Sequence, residues 1–408
     1  MKSVVIFLLA IPLLTYGQGE ANFKLKGAIR NARTGEPVPN AHVRLPNHRL
    51  GVSANEEGIF SMIIDESFKN QSLVFSCIGY KNKTVKIQDI LKNGVIQLQD
   101  TIITLQNVVV TAVDPEAIMR SAIRKSATNY AVNPYHLKAF YRTSFKENDS
   151  YVRLFEAAVT IADKGFEQSG GYQAVVTQYR KSHDYRQIKW RQGSNFLFNY
   201  LKKDRIRNRR FFLNKKLTKN YHYALEGITE FDGQEIYWIT VKLKDSAAVS
   251  YKANVYLRSK DHAIVAIDDA TIIKRPKPYG LSDSLQIAFT GGETQVKYVD
   301  IDGKLYLSYS SALSRHDAFD AAGNSKGTLD MYDEMVVYET APVAYKVAGK
   351  VKKGGDIYLA DYPYDEEFWQ GFNIPVDTER SLRIKYDLNK REDLEMQFKK
   401  NSGAISKD

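Results

Sequence analysis

Four carboxylates near the C-terminus form the densest acidic group of the sequence: Asp361, Asp365, Glu366 and Glu367. A pair of carboxylates is what glycoside hydrolases use, one as the acid and the other as base or nucleophile. That chemistry depends on the distance between the two groups, which spacing along the chain does not give. These residues therefore carry an alternative hypothesis, in which the protein is a hydrolase of glycan or peptide.

Other catalytic and cofactor motifs are missing from the sequence. The segment Gly280-Leu281-Ser282-Asp283-Ser284 comes nearest to a G-x-S-x-G nucleophile turn but lacks its final glycine. The seven histidines form no H-E-x-x-H motif, and a single cysteine, Cys77, permits neither an intrachain disulfide nor a Cys-based zinc site. Phosphate loops and dinucleotide fingerprints are also absent. We therefore predict no cofactor and no metal, and favour a non-enzymatic protein.

The most distinctive feature is a basic stretch that contains aromatic residues. Between Arg180 and Lys219 there are fourteen Lys and Arg against two acids, Asp184 and Asp204, which leaves a local charge of +12. The whole chain carries +11, so its positive excess lies in this one stretch. The aromatic residues between the charges are Trp190, Phe196, Phe198, Phe211 and Phe212.

The N-terminus has the pattern of an export signal. Lys2 precedes an apolar run over residues 4–14, and small residues precede Gln18. The run is about eleven residues long, whereas crossing a bilayer takes about 20. We expect cleavage of residues 1–17 and export to the periplasm or the periplasmic face of the outer membrane. No later segment is long and apolar enough to span, so membrane contact of the mature chain is expected to be peripheral.

Basic residues among aromatic rings suit an anionic partner. Export argues against nucleic acid and favours anionic lipid or acidic glycan, which attract Lys and Arg by the same electrostatics. Arginine is the preferred donor to phosphate and sulfate because of its planar fork. The predicted ligand-binding residues are Lys189, Trp190, Arg191, Arg205, Arg207, Arg209 and Arg210. In the alternative interpretation, the rings point into a core and the charged side chains cover its outer face.

Two domains must position these residues, because 408 residues with 43% hydrophobic content suffice for two cores. In the first, predicted over residues 18–112, short alternating runs are separated by turn residues at close spacing, which indicates a β-sandwich. Turn signals include Thr34-Gly35-Glu36-Pro37 and Asn55-Glu56-Glu57-Gly58.

Three stretches of this first domain carry a family resemblance: K-G-A-I-R-N-A-R-T-G-E-P-V-P-N-A-H-V-R-L, G-V-S-A-N-E-E-G-I-F-S-M and L-V-F-S-C-I-G-Y. Over about residues 23–105 the chain resembles the carboxypeptidase-regulatory-like domain of exported Bacteroidetes-type proteins, a transthyretin-like β-sandwich. It departs from the family pattern at Ala54-Asn55, where Thr-Asp is usual. The resemblance implies a rigid accessory or docking module without peptidase activity.

The second domain is predicted over residues 113–408. Asp114-Pro115 is typical of a helix start, and apolar residues recur at helical spacing up to Tyr130. After Leu137 the pattern has a period of two, and Asp232-Gly233 and Asp302-Gly303 are hairpin dipeptides. The fold class is therefore mainly β: a sandwich, then a leading helix with a large antiparallel curved sheet or half-barrel, and a C-terminal helix.

Two further resemblances concern this second domain. The stretch Tyr364-Asp365-Glu366-Glu367-Phe368-Trp369, with Asn373-Ile374-Pro375 and a charged helix after it, is similar to the ending of exported Bacteroidetes-type proteins that carry the same front domain. A curved sheet with a helix against it also resembles the carriers and sensors of lipoprotein traffic. Neither resemblance implies a reaction. The predicted function is a non-enzymatic binding or accessory protein of the cell envelope that contacts anionic lipid, glycan or an outer-membrane protein.

Overall fold

The computed structural model describes residues 22–46, 48–101, 103–104, 114–167, 172–188, 204–209, 211–282, 284–342 and 364–401. The predicted export signal and the predicted junction at residue 112 lie outside these ranges. The boundaries 18–112 and 113–408 therefore stay predictions.

The first part of the chain forms the predicted sandwich of two small sheets, in the strand orders β4-β1-β7 and β6-β5-β2-β3. Buried apolar side chains such as Leu25, Phe60 and Phe75 form a core of their own between the sheets. Strand β3 and helix α1 are additional to the prediction. The elements are β1 Asn22–Asn31, β2 His42–Leu45, β3 Leu50–Ser53, β4 Ile59–Asp65, β5 Ser72–Ser76, β6 Lys83–Lys86, α1 Ile87–Asn93 and β7 Val95–Leu98.

The second part is built on a curled antiparallel sheet, which confirms the predicted half-barrel. Its strand order is β11-β10-β9-β19-β18-β17-β15-β14-β13-β12-β8, with β16 paired to β17. The strands are β8 Ile103–Thr104, β9 Tyr135–Glu147, β10 Ser150–Asp163, β11 Tyr172–Lys181, β12 Tyr221–Phe231, β13 Gln234–Leu243, β14 Val249–Arg258, β15 Ile264–Ile273, β16 Tyr279–Ser282, β17 Leu285–Ile301, β18 Lys304–Phe319 and β19 Ser325–Ala341.

Both predicted Asp-Gly hairpins are confirmed. Asp232-Gly233 joins β12 to β13, and Asp302-Gly303 joins β17 to β18. All four residues have a positive φ, between 54° and 78°. Two successive left-handed residues match the right-handed twist of the flanking strands, which is why this dipeptide favours a tight hairpin.

One face of the curled sheet carries the main core. Helices α2 Pro115–Arg124 and α3 Ser126–Asn129 lie against it, together with α4 Arg205–Asn208 and the short 3-10 turn Phe211–Leu213. The Asp114 carboxylate accepts hydrogen bonds from the backbone N–H groups of Glu116 and Ala117, as the predicted N-cap. The buried side chains of Met119 and Ala122 belong to the same core as Ile239 and Val255 of the sheet.

The opposite face of β10 and β11 is covered by the C-terminal segment. Where one helix was predicted there are three: α5 Glu366–Gly371, α6 Glu379–Asn389 and α7 Leu394–Asn401. Beneath them Glu156 is buried between Arg142 and Arg180. Burial alone would raise the pKa of Glu156, but the two guanidinium groups outweigh it and lower the pKa to about 2. None of the described helices is long and apolar enough to cross a lipid bilayer.

The two parts of the chain are joined by paired contacts. Strand β3 pairs with β19 through Leu50 and Glu339, so one sheet of the sandwich continues into the half-barrel. Arg44 forms an ion pair with Asp232. Arg49 forms an ion pair with Asp302 at 2.8 Å. These contacts place the sandwich at the hairpin end of β12, β13, β17 and β18.

Candidate functional site

The predicted basic stretch is described in part. Lys189, Trp190, Arg191 and Arg210 lie outside the described residues, and so do Phe196 and Phe198. Arg205, Arg207 and Arg209 are described, and all three belong to or directly follow the short helix α4. This helix begins at Asp204, whose carboxylate accepts hydrogen bonds from the backbone N–H groups of Ile206 and Arg207.

Arg205 points at the sheet. Its guanidinium donates to both carboxylate oxygens of Asp269 on β15, from Nε at 2.5 Å and from Nη2 at 2.7 Å. It also donates to the hydroxyl of Thr294 at 2.9 Å. The Arg205 side chain is 12% exposed and that of Asp269 2%. The guanidinium is thus paired within the molecule.

The Arg207 side chain is also buried and paired with a carboxylate, whereas the Arg209 side chain is more exposed. Arg207 is 8% exposed, forms an ion pair with Asp163 and donates to the hydroxyl of Tyr135 at 3.3 Å. Arg209 is 41% exposed and donates to Ser126 and to Glu167, each at 3.1 Å. Burial raises the pKa of Asp163, although Arg207 opposes that shift. The structure gives all three arginines intramolecular partners, and ligand binding by them stays a prediction.

The aromatic residues of the described part lie in the core. Phe212 is buried, and Phe211 stacks on Tyr251 with a ring separation of 4.9 Å and an interplanar angle of 13°. Residues 204–213 thus correspond to the alternative interpretation, in which rings enter the core. Among the described residues, an exposed cluster of cations lies elsewhere on the molecule.

Three loops at one end of the half-barrel form such a surface, which we call the basic end. They are residues 214–220 before β12, residues 244–248 between β13 and β14, and residues 274–278 between β15 and β16. Hydrogen bonds join the loops in sequence. The Lys244 amide donates to the Asn220 carbonyl at 2.9 Å, and the Lys274 amide donates to the Ala248 carbonyl at 2.8 Å.

The basic end carries seven exposed cations and one acid, Asp245. None of the seven forms an ion pair with any residue that the structure describes. Two of the lysines donate to backbone carbonyls, Lys244 to Lys219 and Lys274 to Ser246. The cations are Lys215, Lys216, Lys219, Lys244, Lys274, Arg275 and Lys277.

Large apolar side chains are exposed among these charges. Leu217 is 39% exposed, Ile272 is 61% exposed and Tyr279 is 48% exposed. Pro276 and Pro278 alternate with the charges of the last loop, and each proline fixes its backbone φ. At the basic end, exposed cations thus surround exposed apolar side chains. It favours contact with a surface that is anionic at its boundary and apolar beneath.

The sequence analysis missed most of this surface. The basic stretch from Arg180 to Lys219 contains Lys215, Lys216 and Lys219, but it ends before the other two loops of the basic end begin. The run Lys274-Arg275-Pro276-Lys277-Pro278-Tyr279 is a signal that the sequence does show, because three basic residues and a tyrosine follow Ile272-Ile273 without any acid. That three separate loops meet at one end, however, follows only from the antiparallel order of the strands.

The basic end lies at the opposite end of the strands from the sandwich. Strands β12 to β15 run from the hairpin at Asp232-Gly233, where the sandwich is attached, to the loops of the basic end. A strand of about ten residues spans about 33 Å. The ion pairs that attach the sandwich therefore lie roughly one strand length from the charged loops, while Glu56 of the sandwich reaches along the sheet as far as Lys252 on β14.

The carboxylates of the hydrolase hypothesis have structural positions where they are described. Asp365 caps α5 by accepting from the backbone N–H of Phe368 at 2.9 Å, and Glu366 pairs with Lys399 at 3.0 Å. Glu367 is exposed in the first turn of the same helix, and Asp361 lies outside the described residues. Over the described ranges, no group of three or more His, Cys, Asp or Glu could hold a metal ion.

Comparison with protein families identifies the sandwich. A family model described as "CarboxypepD_reg-like domain" matches residues 25–110. The front of the chain is a CarboxypepD_reg-like domain. The match agrees with the resemblance over residues 23–105 and with the two packed sheets. No protein of curated function matches the chain.

Several solved structures are similar to the chain at low identity. A LolA superfamily protein from Nitrosomonas europaea is 13% identical, with 58% of this chain and 96% of that chain covered and a TM-score of 0.20. A putative outer membrane lipoprotein-sorting protein domain from Vibrio parahaemolyticus is 8% identical, with the same coverage and a TM-score of 0.23. The MucA/MucB complex of Pseudomonas aeruginosa is 9% identical, with 57% and 100% covered and a TM-score of 0.18.

Proposed function

We propose that this protein is an exported, non-enzymatic binding protein of the cell envelope that docks on an anionic lipid surface through its basic end. The observation that carries the proposal is the meeting of three loops at one end of the sheet, where seven exposed cations form no ion pair with a described residue and three apolar side chains are exposed beside them. The N-terminal signal pattern supports the location, since export brings the chain to a membrane surface.

Electrostatic attraction supplies the first part of the binding. Each Lys or Arg near an anionic bilayer contributes about 1 kcal/mol, and the contribution falls off within a Debye length. Seven cations on one rim therefore suffice for peripheral attachment at low salt. The attraction weakens as salt is added, because exposed charges are screened.

Apolar contact supplies the second part and selects lipid among anionic partners. Leu217 lies in one of the loops that carry the cations, while Ile272 at the end of β15 and Tyr279 at the start of β16 flank another. An acidic glycan offers no apolar layer to receive these side chains, whereas a bilayer interface receives both aliphatic and tyrosine side chains. Lipid headgroups are therefore favoured over glycan as the partner of this end.

Docking in this orientation leaves the CarboxypepD_reg-like domain on the side away from the membrane. The ion pairs Arg44–Asp232 and Arg49–Asp302 attach the domain at the hairpin end of the strands, and these contacts lie about 33 Å from the basic end by strand length. The half-barrel then acts as a spacer that presents the front domain. Such an arrangement suits an accessory module that meets a protein partner at a fixed height above a bilayer.

Sedimentation with lipid vesicles tests the proposal. The mature chain is mixed with vesicles of phosphatidylglycerol and phosphatidylcholine, and with vesicles of phosphatidylcholine alone. We expect binding to the anionic vesicles only. A variant with Lys274, Arg275 and Lys277 changed to Ser should bind about tenfold or more weakly, since three contacts are removed.

A matched variant controls for net charge. Changing Lys81, Lys83 and Lys86 to Ser removes the same charge from the exposed surface of the front domain. This variant should bind anionic vesicles as the unmodified protein does. Equal binding to neutral vesicles, or equal loss in the two variants, would refute docking through the basic end.

A further inference from the structure

A row of polar side chains crosses the face of the half-barrel opposite to its main core. Five strands in succession, β13, β14, β15, β17 and β18, contribute one residue each at matching register. The residues of this polar ladder are Thr240, Asn254, Asp268, Gln295 and Ser311. The register places their side chains side by side on one face, since neighbouring strands pair these positions directly.

The ladder forms the floor of an open cavity of about 310 Å³. Asn254, Asp268, Gln295 and Ser311 all line it. Its walls come from other parts of the chain, with Glu56 from the front domain, Arg380 from α6, and the rings of Tyr309 and Tyr332. The cavity thus lies where the front domain, the sheet and the C-terminal segment meet.

Polar atoms at the floor of this cavity lack hydrogen-bond partners among the described residues. Oδ1 of Asp268 is buried and accepts no hydrogen bond from the described residues. Oδ1 of Asn254 accepts from Trp238 Nε1 at 3.3 Å and from the Thr240 hydroxyl at 3.5 Å, which leaves the amide hydrogens of Asn254 as donors. Buried polar atoms are normally satisfied, so an orphaned acceptor at the floor of an open cavity points to a ligand that donates to it.

Aromatic rings lie beside the ladder. Trp238 and Tyr256 occupy the neighbouring row on the same face and stack with a ring separation of 6.1 Å and an angle of 21°. Both are partly exposed. The cavity is lined by two cations, Lys252 and Arg380, and by four acids, Glu56, Asp268, Asp269 and Glu293. Arg205 pairs with Asp269 and Arg315 pairs with Glu293, so the charges around the cavity are close to balanced.

We propose that this cavity binds an uncharged oligosaccharide. Sugar hydroxyls both donate and accept, and planar carboxylate and amide side chains bind neighbouring hydroxyls in pairs. Asp268 supplies the acceptor, while Asn254 and Gln295 on either side supply both donors and acceptors. The flat C–H faces of the sugar rings pack on the tyrosine rings that line the cavity, Tyr309 and Tyr332.

An extended peptide fits this cavity less well. Peptides added to a sheet pair with the backbone of an edge strand, but the ladder crosses strands in the interior of the sheet. Balanced charge also gives the cavity no preference for an anion or a cation. This inference goes beyond the proposed docking function, because the ladder and the basic end use different residues.

Calorimetric titration with defined oligosaccharides tests the inference. The probes are cellotetraose, maltotetraose and the tetrasaccharide of N-acetylglucosamine, after a wider glycan array has ranked candidates. We expect one saccharide class to bind, and the Gln295→Ala variant to raise its dissociation constant about tenfold or more. The Gln295 side chain forms no hydrogen bond with a described residue, so this change removes no internal hydrogen bond from the described part of the chain.

Two more variants complete the test. Asp268→Asn keeps the shape of the side chain, replaces one acceptor oxygen with a donor and should also weaken binding. Gln286→Ala removes the same amide at the far end of β17, outside the cavity, and should leave binding unchanged. Absence of binding across the array, binding insensitive to Gln295→Ala and Asp268→Asn, or displacement of the sugars by peptides would overturn the inference. Vesicle binding should be the same in all three variants, which separates this test from that of the docking function.

Discussion

Arg205 and Asp269 form a two-point ion pair, with Nε and Nη2 of the guanidinium at 2.5 and 2.7 Å from the two carboxylate oxygens. The pair joins the segment that carries α4 to strand β15 in the middle of the sheet. Asp269 is almost fully buried. A buried carboxylate of this kind needs its partner, because an unpaired charge at such a site is strongly destabilising.

Replacing Arg205 with Met should therefore lower the free energy of unfolding by about 3–5 kcal/mol, since it leaves Asp269 buried and unpaired. Urea denaturation measures the effect. The double variant Arg205→Met, Asp269→Leu should recover much of the loss, because it removes both charges. Arg209→Met is the matched control: its pair with Glu167 is half exposed, so it should cost less than about 1 kcal/mol. A double variant no more stable than the single one would contradict this interpretation.

His42 should give the protein a pH-dependent stability. Burial, then the nearby cations Lys297 and Arg44, lowers the pKa of His42 to about 3, so the folded protein keeps this imidazole neutral. The unfolded chain binds a proton at His42 below about pH 6.5. The contribution of neutral His42 to the free energy of unfolding is therefore fully present above that pH. It falls by about 1.4 kcal/mol per pH unit as the pH drops toward 3.

The His42→Gln variant lacks this titration. Its free energy of unfolding should decline less steeply than that of the unmodified protein between pH 6.5 and 4.5. Denaturant titrations at several pH values measure both slopes. The His222→Gln variant changes an exposed histidine and should follow the unmodified protein. Parallel curves for His42→Gln and the unmodified protein would show that His42 is not the group responsible.

The sequence allowed prediction where the local pattern and the final structure depend on the same residues. Asp114-Pro115 starts a helix because its carboxylate satisfies free amides of the first turn, and Asp232-Gly233 closes a hairpin because both residues accept positive φ. Period-two alternation likewise predicted the antiparallel sheet. Each of these signals acts within a few residues of chain.

Long-range pairing was not predictable in this way. Arg205 lies 64 residues from Asp269 in the chain, and its charge alone does not reveal whether it faces water or a buried carboxylate. The same holds for the basic end, whose loops meet only because consecutive strands are antiparallel. The polar ladder depends on register across five strands, which no single segment of the sequence encodes.

Asn373 connects the C-terminal segment to the front domain and should be required for that contact. Its side-chain oxygen accepts from the Ile63 amide at 2.7 Å, and its side-chain nitrogen donates to the Ile63 carbonyl at 3.3 Å. Asn373→Ala removes both bonds, so it should cost about 1–3 kcal/mol and speed hydrogen exchange at Ile63. Exchange measured by mass spectrometry checks this expectation. Gln370→Ala, on the exposed side of α5, is the control, and equal exchange at Ile63 in the two variants would exclude the proposed role of Asn373.

The orientation on a membrane is the central claim, and an environment-sensitive fluorophore tests it most directly. In a Cys77→Ser background, a single cysteine replaces Tyr279 at the basic end or Lys83 on the front domain, and each is labelled with nitrobenzoxadiazole. On phosphatidylglycerol vesicles, emission from position 279 should shift to shorter wavelength and gain intensity, while emission from position 83 should stay unchanged. A vesicle-bound protein whose label at 279 remains in water, or whose label at 83 enters the bilayer, would contradict docking through the basic end.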